Sequence, residues 1–427
     1  MKAMVTRVTN FTQMTMVKSN KTNKGMFIGI VDADLLDNGT RHPNLVLMKI
    51  AGYCRDHDIS YKFIFDEKEN IEIFSYIYVS KVFTFSKDPS FFSEENIDQN
   101  KIKKGGTGYY AEEEHLETFI RLQNEDMTKL EIDPNFPGFS MAHQMPDYTL
   151  YNKYIENELS KGKDPKQFKD YQHFSVGFLT RGCIRKCPFC VNKNIDSVSD
   201  YSSLSDFVDP TRPMIYLWDD NFLASKDWRL LLLKLQATNR PFQFRQGLDI
   251  RLLNEEKAQL LSRSRYHGDF IFAFDQLKDK ELISRKLKIW RQYSKKTTKL
   301  YLFCGYEISD DRSLIDDIFD LFERIEVLMK FGCLGYVMRH KNYKNHPLNN
   351  IYVQIARWCN QPQFYKKMSF KEFIDRNQFW IKTDNKCVSL KTYEAFVEKY
   401  AKYQTILNYY FNMRYDNMVA PSLWERQ

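Results

Sequence analysis

From Met26 onward, dense apolar runs of strand length alternate with longer amphipathic runs of helical period. The first of them read strand, loop, helix, strand: MFIGIV, DADLLDNGTRH, PNLVLMKIAGYCRDHD and SYKFIF. Pro43 fits a first helical turn, and Leu45, Met48, Ala51 and Gly52 follow at helical spacing. A third strand-like run, IYVSKVFTF (77–85), and a glycine turn at Gly105, Gly106 and Gly108 complete a small doubly wound α/β unit over residues 26–110. Residues 111–172 are polar and punctuated by Pro134, Pro137, Pro146 and Pro165, which predicts a connector with little core of its own.

After Gln172 the alternation becomes regular. Strand-like runs are FSVGFLT (174–180), PMIYLW (213–218), FQFRQG (242–247), DFIFAF (269–274), KLYLFCGYE (299–307) and CLGYVM (333–338). Between most of them lie the helical runs DWRLLLLKLQ, NEEKAQLLSRS, KELISRKLKIWRQY and RSLIDDIFDLFERIEVLMKF. Strand alternating with helix six times predicts a parallel sheet, and this many repeats suits a partial (βα)6 barrel over residues 173–339. In such barrels the loops that follow the strands build the site. Residues 340–427 come after the sixth strand and read as a helical cap over the barrel mouth, where exclusion of solvent protects reactive intermediates.

The chain's formal charge of +8 is unevenly placed. Residues 1–25 hold five basic residues and no acidic one, and read as a loose basic tail. Residues 340–427 hold 14 basic against 7 acidic residues, so the body between the two ends is mildly acidic. The C-terminal region interleaves its cations with aromatics, as in RWCNQPQFYKKMSFKEF and KYAKYQTILNYYFNMRY. That pattern suits either a nucleic acid held through phosphates and stacked bases, or helices with an aromatic core and a solvated basic face. No run approaches the roughly 18 apolar residues of a membrane span, and the N-terminus lacks the apolar stretch of a signal peptide, so a cytoplasmic protein with no membrane partner is expected.

In a reducing compartment eight cysteines point to metal or redox chemistry rather than disulfides. Cys54, Cys304, Cys333, Cys359 and Cys387 are scattered singly, but Cys183, Cys187 and Cys190 share one octapeptide, CIRKCPFC. At this cysteine content about 0.003 chance matches to CxxxCxxC are expected, so the cluster is the chain's main signal. Three thiolates on one loop can hold three irons of a 4Fe-4S cluster and leave the fourth open, as catalysis needs. Gly182 and Pro188 favour a compact turn, and Arg181, Arg185, Lys186 and Lys193 would set positive charge near a net-negative cluster. The alternative is a structural zinc site completed by a histidine such as His173, within a nucleic-acid-binding module.

CIRKCPFC has the CxxxCx(aromatic)C form of the radical S-adenosylmethionine superfamily, and its place after the first strand of a six-fold βα run resembles that superfamily over about residues 172–340. The resemblance implies a 4Fe-4S cluster on Cys183, Cys187 and Cys190, with S-adenosylmethionine chelated to the open iron by its amino and carboxylate groups. One-electron reduction, from a donor such as a flavodoxin or ferredoxin, would cleave the cofactor to a 5'-deoxyadenosyl radical that takes a hydrogen atom from the substrate. Phe189 would pack near the cluster and the adenine. IYLWDDNFLAS (215–225) resembles the DDNF-type segment of the superfamily's members with an N-terminal cobalamin-binding-type domain, which implies Asp219 or Asp220, beside Asn221, as acceptor for the cofactor's amino group. In FQFRQGLDIRLL, Gln246 or Arg251 would contact its ribose or carboxylate. Asp275 and Glu307 end strands that depart from the common pattern. The 26–110 unit resembles a shortened cobalamin-binding domain, which adds cobalamin-dependent methyl transfer or ring chemistry as a second activity, but TRHPNL around His42 lacks the DxHxxG pattern of a cobalamin ligand.

Overall fold

The computed structural model describes residues 25–40, 42–93, 98–110, 135–377 and 387–420. The basic tail up to residue 24, the connector's first part (111–134) and the stretches 378–386 and 421–427 of the C-terminal region lie outside the described residues.

The N-terminal unit is a parallel sheet of β1 (Phe27–Asp32), β2 (Ser60–Ile64), β3 (Tyr76–Ser80) and β4 (Ile102–Gly105), in the order β2-β1-β3-β4. Helix α1 (Ala33–Asn38) follows β1 directly, and α2 (Leu45–Asp56) buries Leu47, Met48, Ile50 and Ala51 against the sheet. Pro43 lies outside α2; the cap is Asn44, whose side chain accepts from the Leu47 N–H. The run read as a third strand stops at Ser80, and Val82, Phe83 and Phe85 leave the sheet exposed. The described part of the connector completes this unit's core: Phe136, Phe139, Tyr148, Tyr151, Phe168 and Tyr171 are buried with Ile28, Ile30 and Leu47.

The second unit holds six parallel strands in two sheets, β5 (Phe174–Gly177), β8 (Met214–Leu217) and β9 (Phe242–Phe244) in one, β10 (Phe270–Ala273), β11 (Thr298–Cys304) and β12 (Leu334–Arg339) in the other. Parallel bridges between Phe242 and Tyr266 and between Leu248 and Phe272 join the sheets, and the described strands do not close into a barrel. Between the strands run α3 (Trp228–Ala237), α4 (Glu255–Arg263), α5 (Lys280–Tyr293) and α6 (Asp311–Lys330). The period of two decides the faces. Ile215 and Leu217, Phe242 and Phe244, Phe270 and Phe272, Leu300 and Leu302 are buried with helix residues such as Leu232, Leu261, Trp290 and Phe322. Each such side chain stabilises the fold by about 1.5–3 kcal/mol relative to exposure.

The C-terminal region holds the helices α7 (Asn350–Cys359), α8 (Phe370–Asn377), α9 (Val388–Lys399) and α10 (Gln404–Phe411). Trp358, Phe370 and Phe411 pack on Phe322 of α6, and the Tyr400 hydroxyl bonds the Asp311 carbonyl, so these helices extend the outer layer beyond β12. Most of their aromatics are core: Trp358, Phe370, Phe373, Phe396 and Phe411 are buried, while Tyr409 is 53% exposed. Among the described residues no helix is long and apolar enough to cross a membrane.

Candidate functional site

The cysteine octapeptide leaves the end of β5 through a short hairpin that the sequence did not reveal. β6 (Thr180–Gly182) pairs antiparallel with β7 (Val198–Asp200) and brings the two feet of the loop together. Gly182 is required at this foot: its φ is +98°, and a Cβ would lie 2.3 Å from the Ser197 carbonyl oxygen.

Three consecutive residues at the end of β8 then hold three successive parts of the loop. Asp219, 2% exposed, accepts from the N–H groups of Leu179 (3.2 Å) and Thr180 (2.7 Å) and from the Thr180 hydroxyl (2.7 Å). Burial nevertheless pushes its carboxyl up to about 7, against the pull of those donors. Asp220 accepts from the Gly182 N–H (2.9 Å) and the Asn192 side-chain amide (2.9 Å) and pairs with Arg181 (3.2 Å), so one carboxylate spans both flanks of the cysteine run. Asn221 donates toward the Cys183 sulfur (3.4 Å) and the Asp249 carboxylate (3.5 Å). Its side-chain oxygen is buried without a hydrogen-bond partner.

Asp249 continues this network. It takes Arg185 of the loop (2.8 Å) and Arg251 (2.7 Å), and Arg251 reaches on to Asp279 (2.9 Å). The two arginines hold the Asp249 carboxyl below its ordinary range although burial opposes them. Asp275, at the end of β10, is the foremost charged group acting on Cys187, while burial pushes its own carboxyl up to about 6. Burial likewise raises the thiols of Cys187 and Cys190, each of which also feels Cys183. Raised thiols remain competent ligands, because a bound metal replaces the proton.

Opposite this polar side stands an aromatic one. Phe189 stacks on Phe303 of β11 (ring centroids 3.8 Å apart), Tyr306 stands edge-on to Phe189 (5.9 Å), and His340 stands edge-on to Tyr306 (4.8 Å). Phe303, Tyr306 and His340 carried no motif; their only sequence signal was a place at the ends of the last two strands.

Of the residues singled out in the sequence, Cys183, Cys187, Cys190, Asp219, Asp220, Asn221, Arg251 and Asp275 come together here. Gln246 and Glu307 are exposed and stand outside the network. His173 is exposed at the opposite end of β5, before the strand rather than after it, which removes it as a partner for the cysteines. Cys54, Cys304, Cys333 and Cys359 are buried singly, and the Cys387 thiol caps α9 by accepting from the Leu390 N–H. Among the described residues no three His, Cys, Asp or Glu side chains converge as a single metal ion would require. Cubane thiolates stand on separate irons and need no such convergence.

No family model matches this chain, and no curated protein does. Among solved structures it is similar to TsrM, a radical S-adenosylmethionine methyltransferase from Kitasatospora setae with cobalamin and a [4Fe-4S] cluster bound. The identity is 10%, the TM-score 0.44, and the match covers 74% of this chain and 72% of TsrM. It is also similar to SuiB from Streptococcus suis bound to S-adenosylmethionine, at 11% identity and a TM-score of 0.29 over 49% of this chain and 61% of SuiB. A second SuiB structure gives 10% and 0.30 over 62% and 71%.

Proposed function

We propose that this chain is a radical S-adenosylmethionine enzyme, that its six parallel strands are the wall of a partial (βα)6 barrel, and that Cys183, Cys187 and Cys190 hold a 4Fe-4S cluster at the strand ends. One observation carries the reading. A three-cysteine CxxxCxxC loop is braced from β8 by Asp219, Asp220 and Asn221, and the Asn221 oxygen beside Cys183 is a buried acceptor without a partner. A buried, unsatisfied acceptor costs about 1–3 kcal/mol unless a donor arrives, and the N–H of a metal-bound amino group is such a donor. The residues present therefore fit the group.

When bound, the cluster and S-adenosylmethionine supply a one-electron cleavage whose carbon radical abstracts hydrogen from a substrate. The chain's own residues do the rest. Asn221 accepts the cofactor's amino group, the task expected of Asp219 or Asp220, whose oxygens are engaged in bracing the loop. Phe189 and Phe303 offer flat apolar faces beside the loop for an adenine. Arg185 and Arg251 are turned inward onto Asp249, and Arg251 also onto Asp279, so this network fixes the loop with its charges balanced.

No step is routed through cobalamin. His42 is bonded to Asp170 (2.5 Å) and to Arg245 (3.2 Å). At the carboxyl end of β1, where doubly wound folds bind ligands, the Tyr151 hydroxyl donates to Asp32 (2.8 Å) and accepts from the Asn44 N–H (2.9 Å). In the C-terminal region Trp358, Phe370, Phe373, Phe396 and Phe411 are core and offer no face to stacked bases, whereas Tyr409 is 53% exposed.

Anaerobic reconstitution tests the proposal. Brown protein with about four irons per chain, and dithionite-dependent release of 5'-deoxyadenosine, are expected; a colourless protein holding one tight zinc would refute it.

A further inference from the structure

At the amino ends of the strands, opposite the cysteine loop, a cavity of about 380 Å³ opens between the last turns of α3 and α4 and the start of β9. Gln236, Asn239, Arg240, Arg263, Ser264 and Arg265 line it, and no Asp or Glu does. Among the described residues none of the three arginines pairs with a carboxylate; two of them are held by neutral groups instead. Arg240 donates through Nη1 to the carbonyls of Asp209 (2.8 Å) and Arg212 (3.0 Å), and through Nη2 to that of Pro210 (2.9 Å). Arg265 donates through Nη1 to the Asn239 carbonyl and to the Asn239 side-chain oxygen (3.0 Å). Such acceptors fix a guanidinium in place without cancelling its charge. Arg263 is exposed in the last turn of α4, and its guanidinium has no protein partner among the described residues.

The ordinary task of cations at this place is to balance the two helix C-termini, each of which carries about half a negative charge. One guanidinium would suffice for that, so three leave about two positive charges in excess. We propose that the cavity binds a phosphate dianion, free or as the terminal group of an organic phosphomonoester. Such a group carries about 1.5–2 negative charges at neutral pH and three strong acceptor oxygens, which matches both the excess charge and the number of guanidiniums. A phosphodiester, as in a nucleic acid backbone, is a monoanion and matches it less well. Planar guanidinium forks are suited to phosphate oxygens, and the Asn239 amide nitrogen, with no partner among the described residues, is a further donor at the rim. Once bound, the anion would tie the ends of α3 and α4 together. The site lies away from the cysteine loop and does not depend on the cluster reading.

Titration calorimetry on the full chain, at about pH 8 and about 50 mM salt, tests this with inorganic phosphate and phenyl phosphate as probes. At least one should bind with a Kd of about 1 mM or tighter. Tighter binding of phenyl phosphate assigns the site to an organic monoester; equal or tighter binding of inorganic phosphate assigns it to the free ion. Diethyl phosphate, a monoanion, should bind about tenfold more weakly than the better probe. R263Q and R265Q change exposed side chains and should keep the wild-type circular dichroism spectrum. Each should weaken the better probe about tenfold. R312Q, at an exposed arginine of α6, should leave its binding within about threefold of wild type. The phosphate site is overturned if neither probe saturates below about 10 mM, or if diethyl phosphate binds as tightly as the monoester and the free ion. Wild-type affinity in both R263Q and R265Q, or an equal loss in R312Q, overturns it as well.

Discussion

Removing the Asp220 carboxylate should loosen the cysteine loop and leave the sheets behind it intact. In Asp220→Ala three interactions disappear together. The Gly182 N–H is buried and would be left without its acceptor, at a cost of about 1–3 kcal/mol. The half-buried amide of Asn192 loses a bond worth about 0.5–1.5 kcal/mol. Arg181, with 32% of its side chain exposed, can turn to water, so its pair counts for less than about 1 kcal/mol. Together about 3 kcal/mol of local stability is at stake, or about a hundredfold in the opening equilibrium. The two flanks that Asp220 ties are Gly182 and Asn192, so the loss falls on the cysteine run and not on the strands. Hydrogen exchange read by mass spectrometry, on peptides spanning residues 180–195 and 298–339, separates the two. The loop peptide should exchange about a hundredfold faster in the variant and the β11–β12 peptide at the wild-type rate. A loop change of under about threefold, or equal acceleration in both peptides, would show that Asp220 is no local clip.

Asn221→Leu should bind the cluster with wild-type iron content but raise the KM for S-adenosylmethionine about tenfold or more, since the buried acceptor is gone; an unchanged KM removes Asn221 from the cofactor site. Asp32 is buried with its carboxyl pushed up to about 7, so the native state holds a proton that the unfolded state has already released. Its contribution is therefore fully present below about pH 4 and is lost as pH rises through about 7, up to about 4 kcal/mol. Asp32→Asn should flatten the fall in urea midpoint between about pH 5 and about pH 8, and an unaltered slope would refute that origin. Hydroxocobalamin incubated with the full chain should elute separately on gel filtration, because Tyr151 is bonded to Asp32 at the carboxyl end of β1; a co-eluting corrinoid would reinstate the cobalamin reading.

The strands were legible because each is a dense apolar run with polar ends, and β5 and β8–β12 each fall within or beside a run read from the sequence. β4 was missed because IKKG has one apolar residue, and β6 and β7 because three-residue strands have too few positions to show a period. The C-terminal helices announced that one face of each is buried, but amphipathicity does not name the surface that buries it; α6 won because Phe319 and Phe322 continue its apolar stripe onto the outer side.

The division of labour among Asp219, Asp220 and Asn221 lay beyond sequence reading for a related reason: their partners in the loop sit 28 to 40 residues earlier in the chain. Two adjacent carboxylates at a strand end had to find donors, and the donors they found are N–H groups and side chains of the loop itself. That leaves the neutral amide to face the thiols. A third carboxylate at position 221 would lie against both Cys183 and the ionised Asp249, and its charge would be buried among groups of its own sign. An amide offers the same acceptor without that charge. It therefore waits for an N–H donor at a cost the fold can carry, which is why Asn221 rather than either aspartate is the residue to test first.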